Sequence, residues 1–234
     1  MMADSFKPAL IVVDMQEDFC PPNGSLAVEG GRDIAPLINR LLDLPFVTRI
    51  ATQDWHPEDH VSFAANHAGK QPFCDFVTVV NPQNASESYE SRLWPVHCVQ
   101  GSHGARIITE LDVGKIDTVI RKGMHPQVEM YSAFYDPLLN PRISDSGLAR
   151  MLKDAAVTHV YVVGLAADYC VKSTAMDAAK EGFTTYIIEE GTRPVDASAW
   201  PACKPVLERV GVRVVSVAGP ELAMLRRENL GHGQ

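Results

Sequence analysis

The sequence predicts a three-layer α/β sandwich built on a mostly parallel central sheet. Two observations carry this: short β-branched apolar runs alternate with longer stretches of helical periodicity, and three of those runs lead into a chemically reactive residue. Alternation of this kind places helices on both faces of a buried parallel sheet. In such sheets the ligand crevice lies beyond the carboxyl ends of the strands. Reactive residues delivered there read as a reaction centre.

The elements follow in chain order. Ala9-Leu10-Ile11-Val12-Val13, within a strand at 8–14, runs into Asp14. A loop rich in Pro and Gly follows over 20–26. Ile34, Leu37, Ile38, Leu41 and Leu42 fall on one stripe of a helix spanning roughly 32–43. Val47 to Thr52 reads as the second strand. From Asp54 to about Leu111 the rhythm breaks, with His, Pro, Asn and Ser frequent and few periodic segments. Such a length suits a functional excursion, and its Trp and His clusters argue against disorder. Asp117-Thr118-Val119-Ile120-Arg121 then runs into Lys122. A helix near 147–154 precedes the strand at 159–165, which leads through Ala166-Ala167-Asp168-Tyr169 to Cys170. A helix over about 169–181 carries Val171, Ala175, Ala178 and Ala179. Thr184–Ile188 and Val212–Val215 supply two further strands. The whole reads as one domain over 1–234 with a large excursion at about 54–111.

Composition narrows the function. The formal net charge of −8 argues against nucleic acid, which needs a basic face. No apolar stretch approaches the ~20 residues a transmembrane helix needs. Residues 1–8 show no signal peptide and 231–234 no lipidation motif. Five widely spaced cysteines without a C-x-x-C pair point to a reducing compartment, the cytoplasm by default. The expected partner is a small-molecule substrate, with neither nucleic acid nor membrane; a homo-oligomer is left open.

The reactive residues suggest a cysteine hydrolase. Cys170 stands where a helix begins, and the positive end of the helix dipole favours a thiolate. Lys122 nearby would lower the thiol pKa further, and Asp14 can take its proton and return it to a leaving amine. A lone intracellular cysteine is more often structural, but the matching Asp and Lys at equivalent strand ends tip the balance. Asp54 and His56, two apart after a strand, point the same way. With His97 they compose a divalent-metal site, most suited to Zn²⁺ and tolerant of Mn²⁺ or Fe²⁺. A D-x-H pair alone is weak, because polar turns produce it too. Glu58, Asp59, His60 and water are the candidates for a further ligand. His60, His67, His103 and His125 otherwise read as surface or supporting residues.

Five motifs together are far more specific than any one of them. Val12-Val13-Asp14-Met15-Gln16-Glu17-Asp18-Phe19, Gln53-Asp54-Trp55-His56-Pro57, Trp94-Pro95-Val96-His97-Cys98, Lys122-Gly123 and Gly164-Leu165-Ala166-Ala167-Asp168-Tyr169-Cys170-Val171 occur in that order. Spread over most of residues 8–195, they resemble the nicotinamidase branch of the isochorismatase-like hydrolases. The resemblance implies the same α/β fold, a catalytic triad of Asp14, Lys122 and Cys170, and a metal held by Asp54, His56 and His97. It further implies that Phe19 and Trp94 stack on a pyridine ring, with Tyr131 lining the pocket, and that the backbone N–H groups of Ala166 and Cys170 form an oxyanion hole. A cis peptide at Leu165–Ala166 is expected by the same analogy, at a cost of about 3–4 kcal/mol. The implied reaction converts nicotinamide, or a pyrazinamide-like amide, to the acid through a Cys thioester, as in NAD salvage. From chemistry alone the metal would activate water; the resemblance instead has it bind the ring nitrogen. The rivals are a related cysteine amidohydrolase acting on another small amide and a non-catalytic member of the fold. Val80–Arg92 reads as an extra polar insertion.

Overall fold

Alternate residues of the first strand bury against opposite sides of the molecule, which is what a sheet covered on both faces requires. The computed structural model describes residues 6–231; residues 1–5 and 232–234, where neither leader nor anchor motif is expected, lie outside the described residues. The elements are β1 (Pro8–Val13), α1 (Ala35–Leu42), β2 (Thr48–Asp54), β3 (Phe76–Asn81), β4 (Asn84–Arg92), β5 (Thr118–Lys122), α2 (Leu148–Asp154), β6 (His159–Leu165), α3 (Lys172–Lys180), β7 (Thr184–Arg193), α4 (Trp200–Arg209), β8 (Val212–Val215) and α5 (Pro220–Gly231).

Six strands form one parallel sheet in the order β5-β2-β1-β6-β7-β8. Leu10 and Val12 face one core, shared with Ile34, Ile38 and Leu41 around α1 and with Leu222 and Leu225 of α5. Ala9, Ile11 and Val13 face the other, shared with Leu148 and Leu152 of α2, Ala175 and Ala178 of α3, and Leu207 of α4. Each fully buried Leu, Ile or Val contributes about 1.5–3 kcal/mol relative to exposure. The parallel α/β sandwich expected from the sequence is therefore the observed architecture.

Three local features differ from expectation. The excursion contains an antiparallel hairpin, β3–β4, whose second strand falls in what reads as a polar insertion over Val80–Arg92 and whose first strand begins before it. Its strand period is carried by polar residues, Glu87, Tyr89 and Ser91 turning inward and Ser86, Ser88 and Glu90 outward, so hydrophobicity does not reveal it. Helix α4 is masked in the sequence by Pro201 in its first turn and Pro205 in its interior. The helix carrying Cys170 opens with a π-helical turn over Ala167–Val171 before α3 begins. Single π turns of this sort often mark functional sites.

Candidate active site

Four strand ends converge on one edge of the sheet. Asp14 follows β1, Asp54 closes β2, Lys122 closes β5, and β6 leads into Ala166 and Cys170. Register sets Asp54 beside Lys122 and Val13 beside Gly164. The strand order changes direction between β1 and β6, where crevices form in open parallel sheets. Asp14 (φ 51°) and Ala166 (φ 57°) turn sharply in the left-handed region as their strands end. Such backbone costs about 1–3 kcal/mol at a non-glycine residue and persists only where surrounding structure fixes it.

Lys122 is the hub of the buried cluster. Its Nζ lies 3.0 Å from Asp14 Oδ2, 2.5 Å from Asp54 Oδ1 and 3.3 Å from Cys170 Sγ. Burial alone would lower its pKa, but Asp14, Asp54 and Cys170 hold it well above the ordinary lysine value. Burial lifts Asp14, with Lys122 opposing. Burial would lift Asp54 too, yet Lys122 and then His56 hold it below the usual carboxylate range. Burial also pushes the Cys170 thiol well above its ordinary value, against the pull of Lys122. A thiol pushed up by burial needs a proton acceptor beside it. Asp14 Oδ1 accepts from Thr52 Oγ1 at 2.6 Å, while Oδ2 is buried without a well-formed hydrogen bond. That oxygen is open to a proton.

Beside this cluster, the side chains of Asp54, His56 and His97 bring their ligand atoms within 4.8 Å of one another. His56 Nδ1 pairs with Gly123 O at 2.8 Å, and His97 Nδ1 with Pro95 O at 2.8 Å. A carbonyl accepts only from N–H, so each bond fixes a proton on Nδ1, and in the neutral ring Nε2 then carries a lone pair. Those Nε2 atoms face Asp54 Oδ2 at 3.5 and 3.9 Å. His56 Nε2 is buried without a hydrogen bond. Burial and then His56 push His97 down to about 3, while Asp54 pulls His56 upward against its burial. One carboxylate and two imidazoles, each turned by its Nδ1–H bond to present Nε2 toward Asp54, are a donor set that fits a divalent cation. Gly123 (φ 64°) makes the approach feasible, since a Cβ there would meet His56 Cε1 at 2.4 Å.

The third part is a small aromatic-walled cavity of ≈ 20 Å³ lined by Phe19, Trp94 and Tyr131 together with Ala166, Cys170 and His97. The Phe19 ring meets His97 edge-on at 5.4 Å. Trp94 Nε1 donates to Tyr131 Oη at 2.9 Å. Asp14, Lys122, Cys170, Asp54, His56, His97, Phe19, Trp94 and Tyr131 are all brought to this locality. The Leu165–Ala166 peptide is trans, contrary to expectation: the described cis bonds are Pro21–Pro22 and Asn140–Pro141, and Ala166 turns through its left-handed φ instead.

The isochorismatase domain profile matches residues 8–218. The chain belongs to the isochorismatase family. It is 44% identical to the nicotinamidase of Acinetobacter baylyi, over 80% of this chain and 82% of that one. The yeast nicotinamidase bound to the inhibitor nicotinaldehyde superposes with a TM-score of 0.83 at 34% identity, covering 89% of this chain and 99% of that one. The pyrazinamidase of Pyrococcus horikoshii in complex with zinc gives a TM-score of 0.69 at 31% identity, with 90% and 99% covered.

Within this isochorismatase-family site several residues escaped sequence reasoning. Glu129 and Tyr169 line the cavity; Glu129 comes from a polar loop with no periodic signal, and Tyr169 is the neighbour of the residue that drew attention. Gln16 clamps the Asp54 backbone from both sides, accepting its N–H at 2.8 Å and donating to its carbonyl at 2.8 Å. It lay inside a recognised motif with no role attached. His60 is not a surface residue: it is buried and stacks on His56 at 4.1 Å. Its ring nitrogens pair with Ser62 Oγ and Val128 O, and its ligand atom also lies within 4.8 Å of those of His56 and Glu129. Glu58 and Asp59 are exposed and turn away from ligand duty.

Proposed function

We propose that this protein is a nicotinamidase that hydrolyses nicotinamide to nicotinate and ammonia through a thioester on Cys170. The observation that carries the reading is the contact of Lys122 with both Cys170 Sγ and Asp14, beside the two-histidine, one-carboxylate cluster in one aromatic-walled cavity. The nicotinamidase relatives support the substrate class.

Cys170 Sγ attacks the carboxamide carbon and its proton passes to Asp14 Oδ2. Lys122 compensates the charge developing on sulfur. The backbone N–H groups of Ala166 and Cys170 are assigned to the oxyanion, where each such donor is worth ~2.7–4 kcal/mol in comparable hydrolases. Collapse breaks the C–N bond as Asp14 returns the proton, and ammonia leaves. Asp14 then takes a proton from water, the hydroxide displaces Sγ, and nicotinate and the thiol are restored. Phe19 and Trp94 hold the ring between them, with Tyr131 closing the side. Asp54, His56 and His97 would hold one divalent ion, Zn²⁺ in the first instance, which supplies a Lewis acid for the lone pair of the ring nitrogen. All five cysteines are unpaired, which supports a reducing cytoplasmic setting. Among the described residues no helix is long and apolar enough to cross a membrane.

Ammonia release from nicotinamide by purified protein tests the proposal. Wild type should turn over nicotinamide, Cys170→Ala should not, and mass spectrometry should find the acyl group on Cys170. An adduct on Cys20, Cys74, Cys98 or Cys203 would overturn the assignment. Benzamide, which lacks the ring nitrogen, should be a much poorer substrate; equal rates would remove the metal-to-ring role.

A further inference from the structure

One wall of the cavity is thin. Glu129 and Tyr131 line the ≈ 20 Å³ catalytic cavity and also an outer cavity of ≈ 370 Å³. Glu129 and Met130 are buried and Tyr131 packs against both cores, and hydrogen bonds fix how this septum sits between the two spaces. Those bonds come from β4. Tyr89 Oη donates to Glu129 O at 2.7 Å and accepts from Glu129 N–H at 3.0 Å, gripping one peptide unit on each side of the residue. Two positions along, Ser91 Oγ lies 3.2 Å from Tyr131 Oη, which also accepts the indole N–H of Trp94 at 2.9 Å. Between them, Met130 O lies 3.5 Å from Lys122 Nζ, and its N–H is bonded by Glu129 Oε1 at 2.8 Å. Strand period turns Tyr89 and Ser91 to the same face, so one strand reaches both ends of the septum.

We infer that Tyr89 and Ser91 are positioning residues: through them the β3–β4 hairpin holds the Glu129–Tyr131 septum against the catalytic cavity, setting the width of the slot that takes the substrate ring. Among the described residues the hairpin pairs with no strand of the main sheet. Its place in the molecule is to buttress this wall. The inference rests on the nicotinamidase reading for the identity of the ring, but the wall itself is tested without substrate. Neither hydroxyl touches the reacting atoms, so their loss should loosen ring binding and leave the chemistry at Cys170 largely intact.

Tyr89→Phe removes the grip and leaves a buried N–H and C=O of Glu129 unpaired; Ser91→Ala is the milder change. Each folded variant should show KM for nicotinamide raised about tenfold with kcat within about twofold of wild type, the pattern of lost binding rather than lost transition-state contact. Peptide mapping after iodoacetamide should show Cys170 alkylated several-fold faster, while the buried Cys20 and Cys98 stay protected. A merely structural hairpin would lower the melting temperature and change neither the KM-to-kcat split nor the selectivity of alkylation. Should Tyr89→Phe expose Cys20 and Cys98 as well, it has unfolded and Ser91→Ala decides. Unchanged KM with unchanged Cys170 protection overturns the inference, as does a fall in kcat at constant KM. A wild type inactive on nicotinamide would instead overturn the substrate reading, and the alkylation comparison would still decide the role of the wall.

Discussion

A buried ammonium held by two carboxylates and a thiol is a costly arrangement that works only while every partner is present. Removing one partner of a buried charge cluster typically costs about 3–5 kcal/mol, because the remaining charges stay desolvated. Lys122→Met should therefore destabilise the protein by about that much, read as a lowered urea midpoint. The loss should depend on pH in a definite direction. Burial already raises Asp14 and Lys122 opposes that rise, so without the lysine the folded-state pKa climbs further above the unfolded one. A raised carboxyl pKa contributes stability at low pH that is lost as pH rises through it. The gap between Lys122→Met and wild type should thus be widest near neutrality and narrow on acidification; a constant gap would contradict this account. At the same scale, Lys122 pulls the Cys170 pKa down, and the variant should need higher pH to reach a given alkylation rate. Asp14 and Lys122 were legible because each ends a β-branched run, and Cys170 because it stands five residues past the apolar run that ends at Leu165. Gln16, Tyr89 and Glu129 were not, because their work is done through backbone hydrogen bonds between segments 38 to 40 apart, a distance no local pattern encodes.

At the scale of elements, the junction after β5 shows how a strand end serves the cluster. Gly123 turns at φ 64° directly beneath the His56 ring and accepts its Nδ1–H. Gly123→Ala would place a methyl 2.4 Å from His56 Cε1, so the ring must tilt and lose that bond. Losing a supporting bond of this kind typically costs 10–100-fold in metal affinity. Metal analysis of the purified variant should find it depleted relative to wild type, and full metal content would argue that His56 is not a ligand. Wild type stripped by a chelator should lose activity and regain it on adding Zn²⁺. Elements with hydrophobic periodicity, β1, β2, β6 and α1, were readable within a few residues. The β3–β4 hairpin was not, since alternating Ser and Glu carry no apolar signal, and α4 hid behind two prolines, Pro201 in the first turn where a helix tolerates it and Pro205 in the interior where proline argues against one. The trans Leu165–Ala166 bond shows that an expectation taken from likeness alone can fail where the local backbone has another way to turn.

For the whole molecule, the parallel sheet does one thing for function: its order delivers four chain segments, far apart in sequence, to a single edge. That much follows from strand alternation, and the sandwich was legible for that reason. Strand alternation does not set the shape of the slot that forms there. The slot beside Cys170 is walled by Phe19, Trp94 and Tyr131, and the group that leaves it, ammonia, is about the size of water. After the amine departs, the acyl group on Cys170 still fills its slot, and whatever cleaves it must fit the gap just vacated. The enzyme should consequently choose its second reactant by bulk. Hydroxylamine, close to water in size and a better nucleophile, should intercept the acyl group and divert product to the hydroxamate. Amines with a branched alkyl group, equally basic but wider, should yield no amide at any attainable concentration. The protein would then be a strict hydrolase by the dimensions of its interior, protected from unwanted acyl transfer to the many amines around it.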